Sequence, residues 1–272
     1  MSRQPTFPDH LLAWWWRRGW RGFLTLQRGR HLFGGDQRVL HRTPFGSLFL
    51  LDPRAYIDGI VLREGYYESE VLEALRPFLT PGAVLWDIGG NFGLHAVTAA
   101  RLHPAARVFA FEPNPVMIAA IEEHARLNGV AVSVLPVALA AESGPRTFHV
   151  NAVGNPGMSS LHAWPGAQFD HQITVACERA DALVARGLAP APTVIKLDVE
   201  GGEPSVLAGL GELLRQPTLR AVVFEGPAGL ATNAPSDPVA DPLRAAGFTL
   251  RSLNRREATD HALENYVATR SA

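Results

Sequence analysis

The central part of the chain alternates between short apolar runs and longer segments of mixed polarity. The apolar runs have the length of buried strands and cover residues 84–88, 107–112, 131–137, 193–198 and 219–224. The segments between them have the length of helices and cover residues 93–102, 115–127, 178–186 and 203–214. Strands that alternate with helices predict a parallel sheet with helices on both faces. The predicted fold class is therefore α/β.

Further elements are predicted on either side of this core. They are a hairpin strand over 45–52, a helix over 71–79, an inserted hairpin from residues 146–150 and 172–176, a helix over 239–246, and strands near 248–253 and 265–270. A final antiparallel pair of strands is a common addition to a mostly parallel sheet. The expected organisation is a helical arm over residues 1–44 and one α/β domain over residues 45–272.

The predicted arm is rich in tryptophan and arginine, with Trp14, Trp15 and Trp16 directly before Arg17 and Arg18. One interpretation is an anchor at a membrane surface, because these side chains suit the headgroup region. The other is a cap or a dimer arm that packs its tryptophans on the main domain. The second is favoured, because glycines interrupt the helical face.

Composition narrows the class of protein. The chain has 272 residues, 47% of them hydrophobic, so a sizeable core is expected. A net charge of −1 gives no reason to expect nucleic acid as a partner, and a single cysteine excludes an intrachain disulfide. No apolar run is long enough to span a membrane and no signal peptide is visible, so a cytoplasmic protein is expected. The scarcity of lysine relative to arginine is typical of a GC-rich bacterial genome.

The turn after the first central strand predicts the cofactor. Asp87, Gly89 and Gly93 follow an apolar run, whereas a dinucleotide site needs a different glycine spacing for its pyrophosphate. A carboxylate here would repel a pyrophosphate and suits a cationic ligand such as S-adenosylmethionine. Gly89 and Gly90 are expected to let the backbone approach that ligand. A helix that begins near Phe92 would offer N–H groups to its carboxylate.

Glu112 ends the second central strand, at the position from which an acid binds ribose hydroxyls in related folds. Ala138, just after the third strand, is expected to contact the adenine through its backbone. The predicted cofactor-binding residues are Asp87, Gly89, Gly90, Asn91, Gly93, Glu112, Pro113, Asn114, Ala138 and Asp198.

A second group of charged residues follows the strand at 193–198. Lys196 and Asp198 face the same side of that strand, and Glu225 ends the next strand at the same edge of the sheet. Asp198 is the leading candidate to orient or deprotonate an acceptor, and Lys196 and Glu225 are the other catalytic candidates. Burial would lower the pKa of Lys196 toward a useful range, but a structural ion pair with Asp198 or Glu200 is favoured. Only two good oxygen ligands are visible, so no metal is expected.

These motifs resemble those of the FkbM family of S-adenosylmethionine-dependent methyltransferases. The resemblance spans residues 45–230 and rests on Gly65–Glu68, Trp86–Gly93, Phe111–Pro115, Ser159–Leu161, Ile195–Glu203 and Glu225. It implies a class I methyltransferase fold, which is Rossmann-like, with a seven-stranded sheet whose last strand is antiparallel. Gly90 departs from the alanine that is usual in the family, without harm to the turn.

The resemblance implies methyl transfer to a hydroxyl of a small molecule, a secondary metabolite or a glycan. The expected acceptor-binding residues are His95, Ser159, Ser160, Glu200 and Glu225. Glu200 and Glu203 have a second interpretation as caps of the following helix. Two other functions stay open: an N-methyltransferase that acts on a peptide or amide side chain, and a non-catalytic scaffold that binds the cofactor. Acids at four strand ends argue against the scaffold.

Overall fold

The computed structural model describes residues 38–151, 156–163, 169–231, 236–253 and 263–270. The strands are β1 Val39–Arg42, β2 Leu48–Leu51, β3 Val84–Ile88, β4 Arg107–Phe111, β5 Ser133–Leu135, β6 Ala138–Leu139, β7 Gly144–Val150, β8 His171–Glu178, β9 Val194–Leu197, β10 Ala221–Pro227, β11 Thr249–Ser252 and β12 Leu263–Thr269. The α-helices are α1 Tyr56–Glu64, α2 Ser69–Leu75, α3 Leu94–Leu102, α4 Pro115–Asn128, α5 Ala180–Ala185, α6 Glu203–Leu210 and α7 Ala240–Ala245.

Seven strands form the central sheet in the order β11-β12-β10-β9-β3-β4-β5. Strands β5, β4, β3, β9 and β10 run parallel, and β12 is antiparallel to both β10 and β11. The predicted α/β class and the mostly parallel sheet are confirmed. The carboxyl ends of β3, β4, β9 and β10 therefore meet at one edge of the sheet, where ligands bind in open α/β folds.

Successive side chains of β3 are buried on opposite faces of the sheet. Leu85 packs with Leu72 of α2 and Val97 of α3 in one hydrophobic core, and Trp86 packs with Val206 of α6 in the other. This alternation follows from the period of two in a strand, which directs neighbouring side chains to opposite faces. Both faces are covered at the centre of the sheet, so β3 and β9 are buried over their whole length, whereas the edge strand β5 is not.

A smaller sheet forms beside the central one from β6, β8 and β7, in that order. β7 and β8 are antiparallel, in agreement with the predicted inserted hairpin. The single strand predicted over 131–137 is wrong: β5 ends at Leu135, and β6 begins at Ala138 and pairs with β8. Pro136 lies at the break, because proline has no N–H to donate to a sheet.

The first described residues belong to the domain rather than to a separate arm. β1 pairs antiparallel with β2, and the side chains of Asn128 and His124 in α4 accept hydrogen bonds from Leu48 N at 2.8 Å and Leu50 N at 3.1 Å. The helical arm predicted over residues 1–44 is therefore wrong for Val39–Arg42, since this segment is a strand. Residues 1–37, which hold the tryptophan-rich run, lie outside the described residues.

The sequence prediction also missed α1, which directly follows the hairpin.

No helix in the described ranges combines the length and the apolar character that a membrane crossing requires.

Candidate active site

One cavity opens at the carboxyl edge of the central sheet and reaches across the ends of four parallel strands. Its walls include many of the predicted site residues, namely Gly89, Asn91, Glu112, Pro113, Asn114, Ala138, Ser159, Asp198, Glu200 and Glu225. Asp87, Gly90, Gly93, His95, Ser160 and Lys196 are not among the residues that line it. The predicted residues therefore divide into a group that faces the cavity and a group that lies behind it.

Gly89 forms the turn at the end of β3, in close contact with the end of β9. Its φ is +78°, and a Cβ built on it would lie 1.7 Å from the carbonyl oxygen of Asp198. Gly89 N donates to Phe111 O at 3.0 Å, and Asp198 N donates to Ile88 O at 3.1 Å, so hydrogen bonds hold both backbones. No residue with a side chain fits this position without moving one of the two strand ends.

Gly90 and Gly93 have a role different from the predicted one. A Cβ on Gly90 would lie 3.3 Å from Ala110 Cβ, and one on Gly93 would lie 3.2 Å from Ile121 Cγ1. These contacts are with the protein interior, not with the cavity. Both glycines let the turn pack against its neighbours, and α3 then begins at Leu94.

Glu112 is buried at the end of β4 and faces the cavity. Its carboxylate accepts hydrogen bonds from Asn91 N at 2.9 Å and from Asn114 N at 2.8 Å. Burial raises the pKa of Glu112 to about 7, although these two N–H groups act in the opposite direction. Asn114 then begins α4, because its Oδ1 accepts from Val116 N at 3.0 Å. The acid is thus fixed by its own turn, with its carboxylate available to hydroxyl donors.

Lys196 lies behind the cavity and joins two strand ends. Its side chain is 6% exposed, and Nζ lies 3.3 Å from Asp87 Oδ1, 3.2 Å from Asp198 Oδ2 and 2.9 Å from Gly89 O. Burial by itself lowers the pKa of Lys196, but the carboxylates of Asp198 and Asp87 outweigh burial and hold the pKa above its ordinary value. The expected fall in the pKa of Lys196 is therefore wrong, and a lysine held in its charged form is unsuited to accept a proton.

Asp87 is not among the residues that line the cavity, and the cation beside it is Lys196. The Asp87 side chain is 1% exposed, and its Oδ2 accepts from Ala96 N in the first turn of α3 at 3.1 Å. Burial raises the pKa of Asp87, and Lys196 acts against this effect. The carboxylate therefore fixes the start of α3 from behind the cavity wall, although the sequence predicted that Asp87 binds the donor.

Three glutamates surround Asp198 at the other end of the cavity. Burial, followed by the charge of Asp198, raises the pKa of Glu68 to about 7, of Glu200 to about 8 and of Glu225 to about 7. A carboxyl group with a pKa in this range exchanges protons near neutral pH. This end of the cavity can therefore accept a proton as well as a hydrogen bond.

Glu68 and the neighbouring Tyr67 line the cavity but received no role from the sequence alone. The Gly65–Glu68 motif carried the signal, since it was part of the family resemblance. Glu68 has a positive φ of 52°. Asn91 and Glu200 also have positive φ values, of 48° and 55°. In the described ranges these three are the non-glycine residues with positive φ, and all three line this cavity. Such backbone conformations are concentrated at functional sites.

Ser160 lies behind Glu200 rather than in the cavity. Its Oγ donates to Glu200 O at 2.8 Å and accepts from His162 N at 3.0 Å, and the residue is 1% exposed. Glu203 Oε1 accepts from Val199 N at 2.9 Å. The turn that carries Glu200 is therefore held from both sides, and the predicted contact of Ser160 with an acceptor is replaced by a contact with this turn. Ser159 does line the cavity.

His95 was expected to meet the acceptor, but the structure buries it away from the cavity. Its ring contacts Tyr66 in an edge-to-face arrangement with centroids 5.7 Å apart. Burial, followed by the charge of Lys196, lowers the pKa of His95 to about 3. His95 is therefore a neutral packing residue, because α3 directs its first turn into the core.

The donor set fits a nucleoside with a cationic substituent and does not form a metal site. In the part of the chain that the structure describes, no three or more His, Cys, Asp or Glu side chains are grouped so that they could hold a metal ion. Asn91 Oδ1 is buried at the cavity without a hydrogen-bond partner among the described residues, and Glu112 offers a desolvated carboxylate beside it. These acceptors match hydroxyl and amine donors of S-adenosylmethionine.

The sheet order, the glycine turn and the acids at the strand ends define a class I methyltransferase that uses S-adenosylmethionine. The family description "Methyltransferase FkbM domain" matches residues 87–229. The chain belongs to this family.

Three characterised relatives are similar to this chain. Hexuronic acid methyltransferase AglP of Haloferax volcanii is 31% identical over 163 residues, covering 60% of this chain and 64% of AglP. The 31-O-demethyl-FK506 methyltransferase FkbM of Streptomyces tacrolimicus is 30% identical over 174 residues, covering 54% of this chain and 66% of the relative. The 2-O-methyltransferase NoeI of Sinorhizobium fredii is 28% identical over 147 residues, covering 49% of this chain and 60% of NoeI. The matches thus span just under two thirds of the length of these relatives.

Proposed function

We propose that this protein transfers a methyl group from S-adenosylmethionine to a hydroxyl group of a small molecule or a glycan. The observation that carries the proposal is the row of carboxylates at one end of the cavity, because a hydroxyl acceptor must lose a proton as it is methylated. The names of two relatives, the 31-O-demethyl-FK506 methyltransferase and the 2-O-methyltransferase, support an oxygen acceptor.

The donor end of the cavity is formed by the turns after β3 and β4. Glu112 would accept hydrogen bonds from the ribose hydroxyls, and the unpartnered Asn91 Oδ1 would accept one from the donor. Gly89 and Ala138 would contact the donor through their backbones. When bound, S-adenosylmethionine supplies a methyl group activated by its sulfonium. The protein holds donor and acceptor in line and excludes water.

The acceptor end divides the work between two kinds of carboxylate. Asp198 lines the cavity with its Oδ2 3.2 Å from Lys196 Nζ, a position from which it can accept a hydrogen bond and orient the hydroxyl. Glu225 has a pKa raised to about 7 and faces the same cavity, so it is suited to take the proton. Ser159 and Glu200 would contact the rest of the acceptor.

The function is tested with methyl-labelled S-adenosylmethionine and a panel of neutral glycosides, uronic acid glycosides, hydroxylated macrocycles, amines and peptide amides. We expect a methylated oxygen in the product. Asp198→Asn should slow the transfer by about 100-fold or more, the lower range for an acid–base group.

Asp241→Asn makes the same chemical change at an exposed residue of α7 and should keep the wild-type rate. Methylated nitrogen as the product would favour the N-methyltransferase. Full activity of Asp198→Asn would remove this residue from the mechanism. Donor binding without transfer to any member of the panel would favour the non-catalytic scaffold that binds the cofactor.

A further inference from the structure

The cavity has a large excess of acidic groups. Five carboxylates line it, from Glu68, Glu112, Asp198, Glu200 and Glu225, whereas the described lining contains no lysine or arginine. Lys196 lies behind the wall and is shared with the buried Asp87. In and directly behind the cavity wall there are thus six carboxylates, the five that line it and Asp87, and one lysine.

Within this group, Glu200 and Glu225 have the least positive charge beside them to offset their own negative charge. In the described ranges neither has a salt bridge, and the pKa of each is raised by burial and by neighbouring carboxylates, to about 8 and about 7. Part of this acidic wall is therefore protonated near neutral pH in the free protein. A cation that enters the cavity would favour the ionised forms and displace these protons.

Most of the titratable groups around the two glutamates are acids. The start of α2 contributes Tyr67, Glu68 and Glu70, and the turn between β9 and α6 contributes Asp198 and Glu203. Among the described residues, Lys196 from β9 is the permanent cation that acts on them, and His162 also lines the cavity. The surroundings oppose ionisation of Glu200 and Glu225 until a cation arrives from outside the protein.

We propose that Glu200 and Glu225, with Asp198, distinguish the methyl donor from its spent product by charge. S-adenosylmethionine carries a sulfonium, and S-adenosylhomocysteine carries a neutral thioether in its place, while the two are otherwise alike. The inference rests on the placement of the donor in this cavity under the proposed function. The carboxylates attract the sulfonium before transfer, and the attraction ends when the sulfur becomes neutral. The same wall then regains protons and favours release of the product.

The test is titration calorimetry with S-adenosylmethionine and with S-adenosylhomocysteine, in pairs of buffers that differ in ionisation enthalpy. Near neutral pH, binding of the donor should release protons from the protein, and binding of the product should release fewer. Between about pH 6 and about pH 8.5 the preference for the donor over the product should rise by roughly fivefold or more, the lower range for coupled binding events.

Glu225→Gln and Glu200→Gln should each reduce the proton release and the rise in preference. Glu212→Gln is the matched control, since Glu212 is exposed and paired with Arg215, and it should behave as the wild type. Equal proton release and a constant preference at every pH would overturn the charge discrimination and leave the donor site in place. Failure of both ligands to bind would overturn the donor site itself.

Discussion

Replacing Gly89 with alanine should abolish the native fold or cost more than about 4 kcal/mol of unfolding free energy, an effect reserved for severe core changes. The added Cβ would lie 1.7 Å from Asp198 O, a backbone atom that cannot rotate away. Hydrogen bonds from Gly89 N to Phe111 O and from Asp198 N to Ile88 O hold the two strand ends in place. Equilibrium unfolding in urea measures the loss.

Gly82→Ala is the control, because it places a side chain on the same left-handed backbone conformation without a steric clash. Gly82 has a φ of +82°, close to the +78° of Gly89, but no atom lies within 4 Å of the position that its Cβ would take. This variant should lose only about 1–2 kcal/mol, the cost of a left-handed residue with a side chain. Similar losses for the two variants would show that the contact between β3 and β9 is not the reason for Gly89.

Replacing Lys196 with methionine should cost about 3–5 kcal/mol of unfolding free energy, because it leaves a buried carboxylate without its cation. Asp87 is 1% exposed and loses its partner at 3.3 Å. Without Lys196 the folded-state pKa of Asp87 lies further above the unfolded value, so its contribution to stability is lost as pH rises. The deficit relative to the wild type should therefore be larger at about pH 8 than at about pH 5. Urea unfolding at the two pH values measures it.

The double variant Lys196→Met with Asp87→Asn is the control for this prediction. It removes the orphaned charge and keeps the shape of the side chain, so part of the lost stability should return. A single variant as stable as the wild type, or a deficit independent of pH, would contradict the ion pair as the reason for this lysine.

The sheet and the position of the site could be predicted from the sequence, because both follow from local patterns. Apolar runs of strand length set the parallel sheet, and parallel strands bring their carboxyl ends to one edge. Glu112, Asp198 and Glu225 each follow such a run, and all three line the cavity.

The remaining features depend on contacts between distant parts of the chain. β6 exists because β8 lies beside it, and the pKa of Lys196 is set by two carboxylates, one of them on another strand. His95 was misplaced because sequence spacing does not show which side of α3 faces the core. Glu68 lies far from Asp198 in sequence, so its place in the same cavity could not be read from spacing.

The most direct test of the donor site is the affinity of the protein for S-adenosylmethionine with and without the Glu112 carboxylate. Glu112→Ala should weaken binding by about 1–3 kcal/mol, the value of lost charged hydrogen bonds, and Glu122→Ala, an exposed acid of α4, should leave it unchanged. Calorimetry on the two variants and the wild type gives the answer. Equal affinity of all three would show that the donor does not bind at Glu112 and would contradict the account of this cavity.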